Sequence, residues 1–209
     1  MSIRNPDQRV GVFVDVQNLY YSARNIYNAR INFNEILKEA VGDRRLIRAI
    51  AYVVKADMPE EKTFFDALEK AGFEVKAKDL QTFAGGHQKG DWDVGIAMDI
   101  IKLMNKLDVV VLASGDGDFA PLLEYLQMSG QLTETLAFGK STSSKIKELT
   151  DHFIDLDEDT RRYLMPIRGG RSNGTTSTSS GSRTSSRTTT RGRTSSTTTA
   201  KRTKINLDD

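Results

Sequence analysis

The sequence predicts an α/β fold in which a mostly parallel sheet is covered by helices on both faces. Short apolar segments alternate with amphipathic segments over residues 1–165. The run VGVFVDV at 10–16 is continuous and rich in β-branched residues, which is typical of a strand buried on both faces. Strands that alternate with helices along a whole chain favour parallel pairing through helical crossovers.

The individual elements follow from two patterns. Short apolar runs rich in β-branched residues predict strands at 10–16, 46–54, 73–80, 108–114 and 134–139. Apolar residues at the i, i+3, i+4, i+7 spacing of a helix with one buried face predict helices at 32–41, 60–71, 92–106 and 119–129. The segment QTFAGGHQKG at 81–90 follows neither pattern. It is predicted to be a functional loop, because unpatterned loops of this length are uncommon in compact domains.

The charge of the chain divides it into two parts. The formal net charge is +2, but from residue 168 onward nine basic residues stand against Asp208 and Asp209, so this segment carries +7 and the preceding body −5. Half of the segment is Ser or Thr, and it holds too little apolar surface to offset the entropy lost on folding. We therefore expect a folded domain over 1–165 and a disordered basic tail over 166–209.

Several classes of protein are excluded by composition. The chain has no cysteine, which rules out a disulfide framework and thiolate metal sites. No apolar run approaches the roughly 20 residues that a membrane span requires, and the first residues lack the apolar core of a signal peptide. A cytoplasmic protein without a membrane partner is expected, and the sequence leaves a homo-oligomer open.

Aspartates stand where separate predicted elements meet one edge of the sheet. Asp15 ends the first strand, Asp116 and Asp118 follow the strand at 108–114, and Asp91 and Asp93 begin the next-to-last predicted helix. In a parallel sheet, ligands bind beyond the carboxyl ends of the strands where the strand order reverses. These carboxylates are expected to converge if the two strands are neighbours. Clustered carboxylates repel one another unless cations bind, and an all-oxygen ligand set favours Mg²⁺ or Mn²⁺.

Structural explanations for the same residues remain open. Either aspartate of each pair can cap the helix that it precedes, although one cap needs only one aspartate. Asp15 ends an otherwise apolar strand, where a carboxylate is out of place unless something binds it. Asn18 can cap the helix after the first strand, and Ser114 can turn the chain. Asp99 lies roughly 240° around the helix from Asp93 and is expected outside the set of ligands.

Three segments together carry a resemblance to a known family. FVDVQNLY, KGDWDVGIAMDI and LASGDGDFAPLL, in this order and spacing, resemble the signatures of NYN domains, specifically the LabA-like branch of the PIN-like nuclease superfamily. The resemblance spans residues 9–157 and implies a Rossmann-like, PIN-like three-layer sandwich with an acidic metal pocket and metal-dependent RNA cleavage. The residues it implies are the catalytic and metal-binding Asp15, Asp93, Asp116 and Asp118, supported by Asn18, Ser114 and Asp99. Asp91 stands where the family often has an apolar residue, and it either adds a ligand or caps the helix.

The expected function is that of a Mg²⁺- or Mn²⁺-dependent endoribonuclease acting on single-stranded or structured RNA. Lys89 is expected to meet a substrate phosphate, and Phe83 and Trp92 to stack on a base, with core packing an equal alternative for Trp92. Spaced arginines in the tail suit contacts with phosphates in any sequence, and a solubilising tail is the alternative. These arginines are Arg183, Arg187, Arg191 and Arg193.

Two other functions are compatible with parts of this pattern. A non-catalytic RNA-binding or regulatory protein would keep the same fold, but it would gain nothing from four carboxylates that repel one another. A phosphatase of the haloacid dehalogenase type is disfavoured, because the segment DVQN lacks a second acid two residues after Asp15.

Overall fold

The computed structural model describes residues 4–55, 61–79, 81–82 and 88–167, without the side chains of residues 61, 81, 82, 88 and 89. The strands are β1 (Arg9–Asp15), β2 (Ala29–Ile31), β3 (Arg45–Lys55), β4 (Glu74–Asp79), β5 (Gln81–Thr82), β6 (Gln88–Lys89), β7 (Val109–Ala113), β8 (Leu132–Ala137), β9 (His152–Asp155) and β10 (Leu164–Pro166). The helices are α1 (Val16–Tyr27), α2 (Phe33–Val41), α3 (Glu61–Lys70), α4 (Asp93–Leu103), α5 (Ala120–Met128), α6 (Ser144–Leu149) and α7 (Thr160–Tyr163).

Within the described residues, six parallel strands form the central sheet in the order β4-β3-β1-β7-β8-β9. The chain adds β3 and β4 on one side of β1, then returns to add β7, β8 and β9 on the other side. The strand order therefore reverses between β1 and β7. Two short antiparallel pairs, β10 with β2 and β5 with β6, lie outside this sheet.

Helices cover both faces of the sheet. Val10, Val12 and Val14 of β1 contribute to a core that includes residues of α1, α2 and α3, whereas Phe13 contributes to a second core that includes residues of α4, α5 and α6. Side chains that alternate along a strand point to opposite faces, so one apolar strand supplies both cores. The predicted fold class is confirmed: a mostly parallel central sheet flanked by helices.

The elements that the sequence predicts coincide closely with β1, β3, β4, β7 and β8 and with α2, α3, α4 and α5. The prediction of a functional loop over 81–90 is wrong at the two ends of the segment, where β5 pairs with the antiparallel β6, and the function of the segment stays a prediction. Residues 83–87 lie outside the described residues. The sequence did not predict the short strands β2, β9 and β10. A strand of three or four residues is too short to show a hydrophobic period, and β9 is only half-buried.

Among the helices of the described residues, none has the length and apolar character that crossing a membrane requires. The basic tail from residue 168 onward lies outside the described residues, so its disorder stays a prediction.

Candidate active site

The candidate site lies where the strand order reverses. β1 and β7 are neighbours, with Val14 opposite Ala113, so both strands end at the same edge of the sheet. Asp15 is the last residue of β1, and Ser114 follows β7 directly. Ligands of parallel α/β sheets bind in the crevice outside such a reversal, because the loops from the two strands separate there.

Asp15 is a buried carboxylate at the end of β1. Its side chain is 8% exposed, and its Oδ1 accepts a hydrogen bond from the backbone N–H of Asn18 at 3.1 Å, which caps α1. Burial, followed by the negative charges of Asp93 and Asp116, raises the pKa of Asp15 to about 6. The capping bond and the Ser114 hydroxyl oppose this shift only in part. The surroundings of Asp15 therefore disfavour the ionised form of its carboxyl group.

Two polar side chains join the ends of β1 and β7. The Ser114 hydroxyl donates to Oδ2 of Asp15 at 3.3 Å and accepts from the backbone N–H of Asp116 at 3.3 Å. Asn18 accepts from the backbone N–H of Gly115 through its Oδ1 at 3.0 Å. These bonds fix the turn after β7 relative to α1, so Ser114 and Asn18 position the acidic residues on either side of them.

The turn after β7 holds Asp116 and Asp118 in different surroundings. Oδ1 of Asp116 accepts from the backbone N–H of Asp118 at 3.0 Å and so caps the 3₁₀ turn Gly117–Phe119. A Cβ at Gly115 would stand 2.7 Å from Oγ1 of Thr142, so only glycine allows this close approach. Asp116 lines the same pocket as Asp15, whereas Asp118 is exposed and lines a separate groove between α5 and α6.

Asp93 is the first residue of α4 and faces the same pocket. Burial, then the charges of Asp116, Asp91 and Asp118, raises its pKa. The positive charge of Lys78 in β4 acts in the opposite direction and lowers this pKa. Sequence reasoning missed Lys78; its signal was the alternation in EVKAKD, which places Lys78 and Lys76 on one face of β4.

Trp92 precedes α4 and ties its start to the sheet. The indole Nε1–H donates to the carbonyl of Val53 at 2.8 Å, and the ring lies 5.3 Å from that of Tyr52. The Lys78 ammonium lies 4.9 Å from the centroid of the indole ring. Trp92 lines the pocket as well, but these contacts favour the packing alternative over stacking on a base. It sets the position of Asp93.

Asp99 belongs to a different network. Its Oδ2 accepts from the Tyr52 hydroxyl at 2.9 Å and from Nζ of Lys76 at 2.6 Å. Burial would raise the pKa of Asp99, but the hydrogen bonds from Lys76 and Tyr52 outweigh burial and lower it. Asp99 is absent from the lining of the pocket, in agreement with its expected position on the helix.

A pocket of about 330 Å³ is lined by Asp15, Asp93 and Asp116 together with residues of α1. Asp15, Asp91, Asp93 and Asp116 line its acidic end, and a wall formed by α1 extends away from them. Sequence reasoning missed this wall, although polar residues at i, i+4 spacing after Asp15 could have indicated it. The wall consists of Gln17, Asn18, Tyr21, Ser22, Asn25 and Ile26, with Ser141 opposite.

The donor chemistry of the pocket fits a hard divalent cation. Its acidic end offers carboxylate and amide oxygens, the ligands that Mg²⁺ and Mn²⁺ prefer. In the part of the chain that the structure describes, however, no three His, Asp or Glu side chains form a group that could hold an ion. Mg²⁺ commonly keeps several waters and uses only one or two carboxylates together with substrate phosphates, so an open array remains compatible with it.

The remaining sequence-based candidates fall outside what the structure describes. Phe83, Arg183, Arg187, Arg191 and Arg193 lie outside the described residues. Lys89 lies in β6, but its side chain is not described. Their contacts with a substrate stay predictions.

Comparison with known proteins identifies relatives of this arrangement. The NYN domain family model matches residues 9–157. The low amplitude and bright protein LabA of Synechococcus elongatus is 27% identical over 165 residues, covering 72% of this chain and 84% of that protein. The crystal structure of a protein of unknown function from Vibrio parahaemolyticus has a TM-score of 0.70 and 31% identity, covering 78% of this chain and 99% of that one.

Proposed function

The chain belongs to the NYN domain family and has a PIN-like, nuclease-type fold, and from that premise we propose that it is a Mg²⁺- or Mn²⁺-dependent endoribonuclease. Its reaction is the hydrolysis of RNA phosphodiester bonds at the acidic end of the pocket. The observation that carries this proposal is the convergence of three separate elements, which bring Asp15, Asp93 and Asp116 to one pocket at the strand-order reversal.

The unfavourable electrostatics of the pocket support a cation-dependent role. The pKa values of Asp15 and Asp93 are both raised by burial and by neighbouring carboxylates. Asp15 caps α1, but Asn or Ser would cap this helix equally well without that cost, and Asp93 is not the cap of α4. A divalent cation would remove the repulsion and so recover the lost free energy.

One or two of the carboxylates of Asp15, Asp93 and Asp116 would hold the cation, together with water and a substrate phosphate. The cation would lower the pKa of the attacking water and offset the charge that builds on the phosphate. Ser114 and Asn18 keep Asp15 and the turn of Asp116 in fixed relation. Asp118, which is exposed in the separate groove between α5 and α6, acts on Asp93 through its negative charge.

Lys78 supplies the positive charge that an acidic pocket needs to admit RNA. Its ammonium lies over Trp92 and acts on Asp93. A substrate phosphate next to Asp93 would meet this ammonium, which can pair with one phosphate oxygen as a point charge. The arginines of the tail would add phosphate contacts that do not depend on sequence.

A non-catalytic RNA-binding or regulatory protein is the second candidate. It is favoured by the finding that no three His, Asp or Glu side chains of the described residues form a group that could hold an ion. The two candidates differ in whether the acidic residues are needed for strand scission or only for the fold.

Cleavage of a labelled RNA pool tests the proposal directly. The full-length protein is assayed with Mg²⁺, with Mn²⁺ and with EDTA, beside the variants Asp93→Asn and Asp116→Asn. Asp66→Asn is the matched control, because it removes one exposed carboxylate from α3, on the opposite face of the sheet from α4. We expect metal-dependent cleavage that both pocket variants reduce at least a hundredfold and the control leaves unchanged. Cleavage that persists in both pocket variants would refute the enzyme proposal. So would the absence of cleavage under all of these conditions.

The tail is tested separately by ending the chain after residue 167. The +7 charge of the removed segment should contribute to RNA affinity, because binding of phosphates by basic residues releases counterions. We expect a flatter plot of log affinity against log salt concentration and little change in cleavage at saturating RNA. Equal salt slopes for the two proteins would assign the tail a solubilising role only.

A further inference from the structure

The pocket extends beyond its acidic residues along one face of α1. Gln17, Tyr21 and Asn25 stand four residues apart, and all three line the pocket. Residues at i and i+4 lie on the same helical face, one above the other. The first turn of α1 begins at the cap formed by Asp15, so this face leads directly away from the candidate reaction site.

The chemistry of this wall differs from that of the acidic end. The α1 residues that line the pocket carry no charged side chain, and they include an aromatic ring and several amides. In the described part of the chain, the side-chain amides of Gln17 and Asn25 have no hydrogen-bond partner. Each amide presents both donor and acceptor atoms to the pocket. Tyr21 is 52% exposed, and its ring meets that of Tyr20 edge to face, with 5.6 Å between the ring centroids.

The opposite side of the pocket is tied to this helix. The Ser141 hydroxyl, in the 3₁₀ turn after β8, donates to the Ser22 hydroxyl at 2.9 Å. This bond joins α1 to the turn after β8 and bounds the pocket on that side, while the half-exposed Tyr21 leaves it open to solvent. The whole pocket, at about 330 Å³, lies near the lower end of the size range of small-ligand sites.

We propose that the α1 wall is a nucleobase subsite, which takes the base of one unpaired nucleotide beside the scissile phosphate. This inference rests on the proposed function and adds a substrate class to it, namely single-stranded RNA. Tyr21 stacks on the base, and the amides of Gln17 and Asn25 bond to its edge. Amides that both donate and accept match the edges of bases, whereas a phosphate would require cations that this wall lacks.

Base pairing excludes a duplex from this subsite. In a duplex the edge of each base is paired and its faces are stacked on neighbours, so neither is free to meet Tyr21 or Asn25. An unpaired nucleotide can turn its base into the pocket while its phosphate stays near Asp93 and Lys78. The preference for single strands then arises from the wall and not from the acidic residues.

Binding measurements on the Asp116→Asn background test the subsite without cleavage. The probe is a short fluorescein-labelled oligoribonucleotide, used as a single strand, as a duplex, and with one base at a time replaced by an abasic site. The additional substitutions are Tyr21→Ala, Tyr21→Phe and Asn25→Ala. Tyr125→Ala is the matched control, since Tyr125 is a similarly exposed (43%) helical tyrosine on α5 outside this pocket. Circular dichroism melting shows that each variant folds.

We expect one abasic position to weaken binding about tenfold in the parent protein, since stacking of a base on an aromatic ring contributes this much or more. Tyr21→Ala should abolish the loss of affinity caused by the abasic position, while Tyr21→Phe and Tyr125→Ala should keep it. This pattern would show that the ring of Tyr21 and that base are directly coupled. Equal penalties in the parent and in Tyr21→Ala, or a duplex bound as tightly as the single strand, would overturn the subsite.

Failure of the subsite and failure of the enzyme proposal give different results. Coupling between Tyr21 and one base, in a protein that cuts no RNA, would refute the enzyme and retain the subsite. Cleavage without that coupling would refute the subsite alone.

Discussion

Replacing Asp15 by Asn should stabilise the metal-free protein at neutral and alkaline pH. The pKa of Asp15 is raised to about 6, first because the side chain is buried and then because Asp93 and Asp116 are close. An ordinary aspartate has a pKa near 3.9, and each pKa unit corresponds to about 1.4 kcal/mol. Ionising Asp15 in the folded state therefore costs about 3 kcal/mol relative to the unfolded chain.

The direction of the pKa shift determines the pH range in which the stability of the two proteins differs. Below about pH 4 the carboxyl is protonated in both states, so wild type and Asp15→Asn should be equally stable. Between pH 4 and pH 6 the unfolded chain loses its proton while the folded protein keeps it, and the wild type loses stability as the pH rises. The variant does not titrate, and Asn still caps α1. The advantage of the variant should therefore reach about 3 kcal/mol above pH 6.

Urea and thermal unfolding in EDTA, from pH 4 to pH 8.5, measure this difference. A gain of 3 kcal/mol corresponds to a rise in Tm of roughly 6 to 12 °C for a domain of this size. Asp108→Asn is the control of opposite sign, because the hydrogen bonds from Arg9 lower the pKa of Asp108 to about 2. That variant should be less stable than the wild type by a nearly constant amount across this range, because the advantage of the wild type develops below it, between about pH 2 and pH 4. A difference between wild type and Asp15→Asn that is absent at pH 8, or constant from pH 4 to pH 8.5, would refute the electrostatic account of the pocket.

Three further substitutions test how the site is supported. Gly95→Ala should destabilise the protein by about 1–3 kcal/mol in urea unfolding, because the new Cβ would stand 2.5 Å from Cε3 of Trp92. This clash should outweigh the better helix propensity of alanine. A gain in stability would show that the indole moves freely. Glu134→Gln should cost about 3–5 kcal/mol in the same assay, since it leaves the buried guanidinium of Arg44 without its charged partner; a smaller loss would mean that water reaches this pair. Asp99→Asn should lower stability by about 1 kcal/mol, because it weakens the hydrogen bond from Lys76. It should leave the Mn²⁺-induced rise in Tm unchanged, because Asp99 does not line the pocket. A smaller rise in Tm would place Asp99 among the metal ligands.

The central part of the fold was predictable because its strands are buried on both faces. β1 and β7 read as continuous apolar runs, and the flanking helices show one apolar stripe each, since burial imposes a period on the residues that face the core. The strands β2, β9 and β10 are only three or four residues long, too short for a period to stand out in the sequence, although Ala29 and Ile31 of β2 are buried. β9 lies at one edge of the central sheet, and β2 pairs with β10 outside it.

The sequence by itself determined which acidic residues stand at the ends of elements, because Asp15, Asp93 and Asp116 follow or begin segments whose hydrophobic pattern is strong. Only the tertiary structure decided that Asp118 faces another groove, that Asp99 pairs with Lys76, and that the side of α1 carrying Tyr21 forms a wall of the pocket. A hydrophobic period records which face of an element is buried. The neighbours of its polar face depend on strand order and on the course of the turns, which are properties of the whole packed chain.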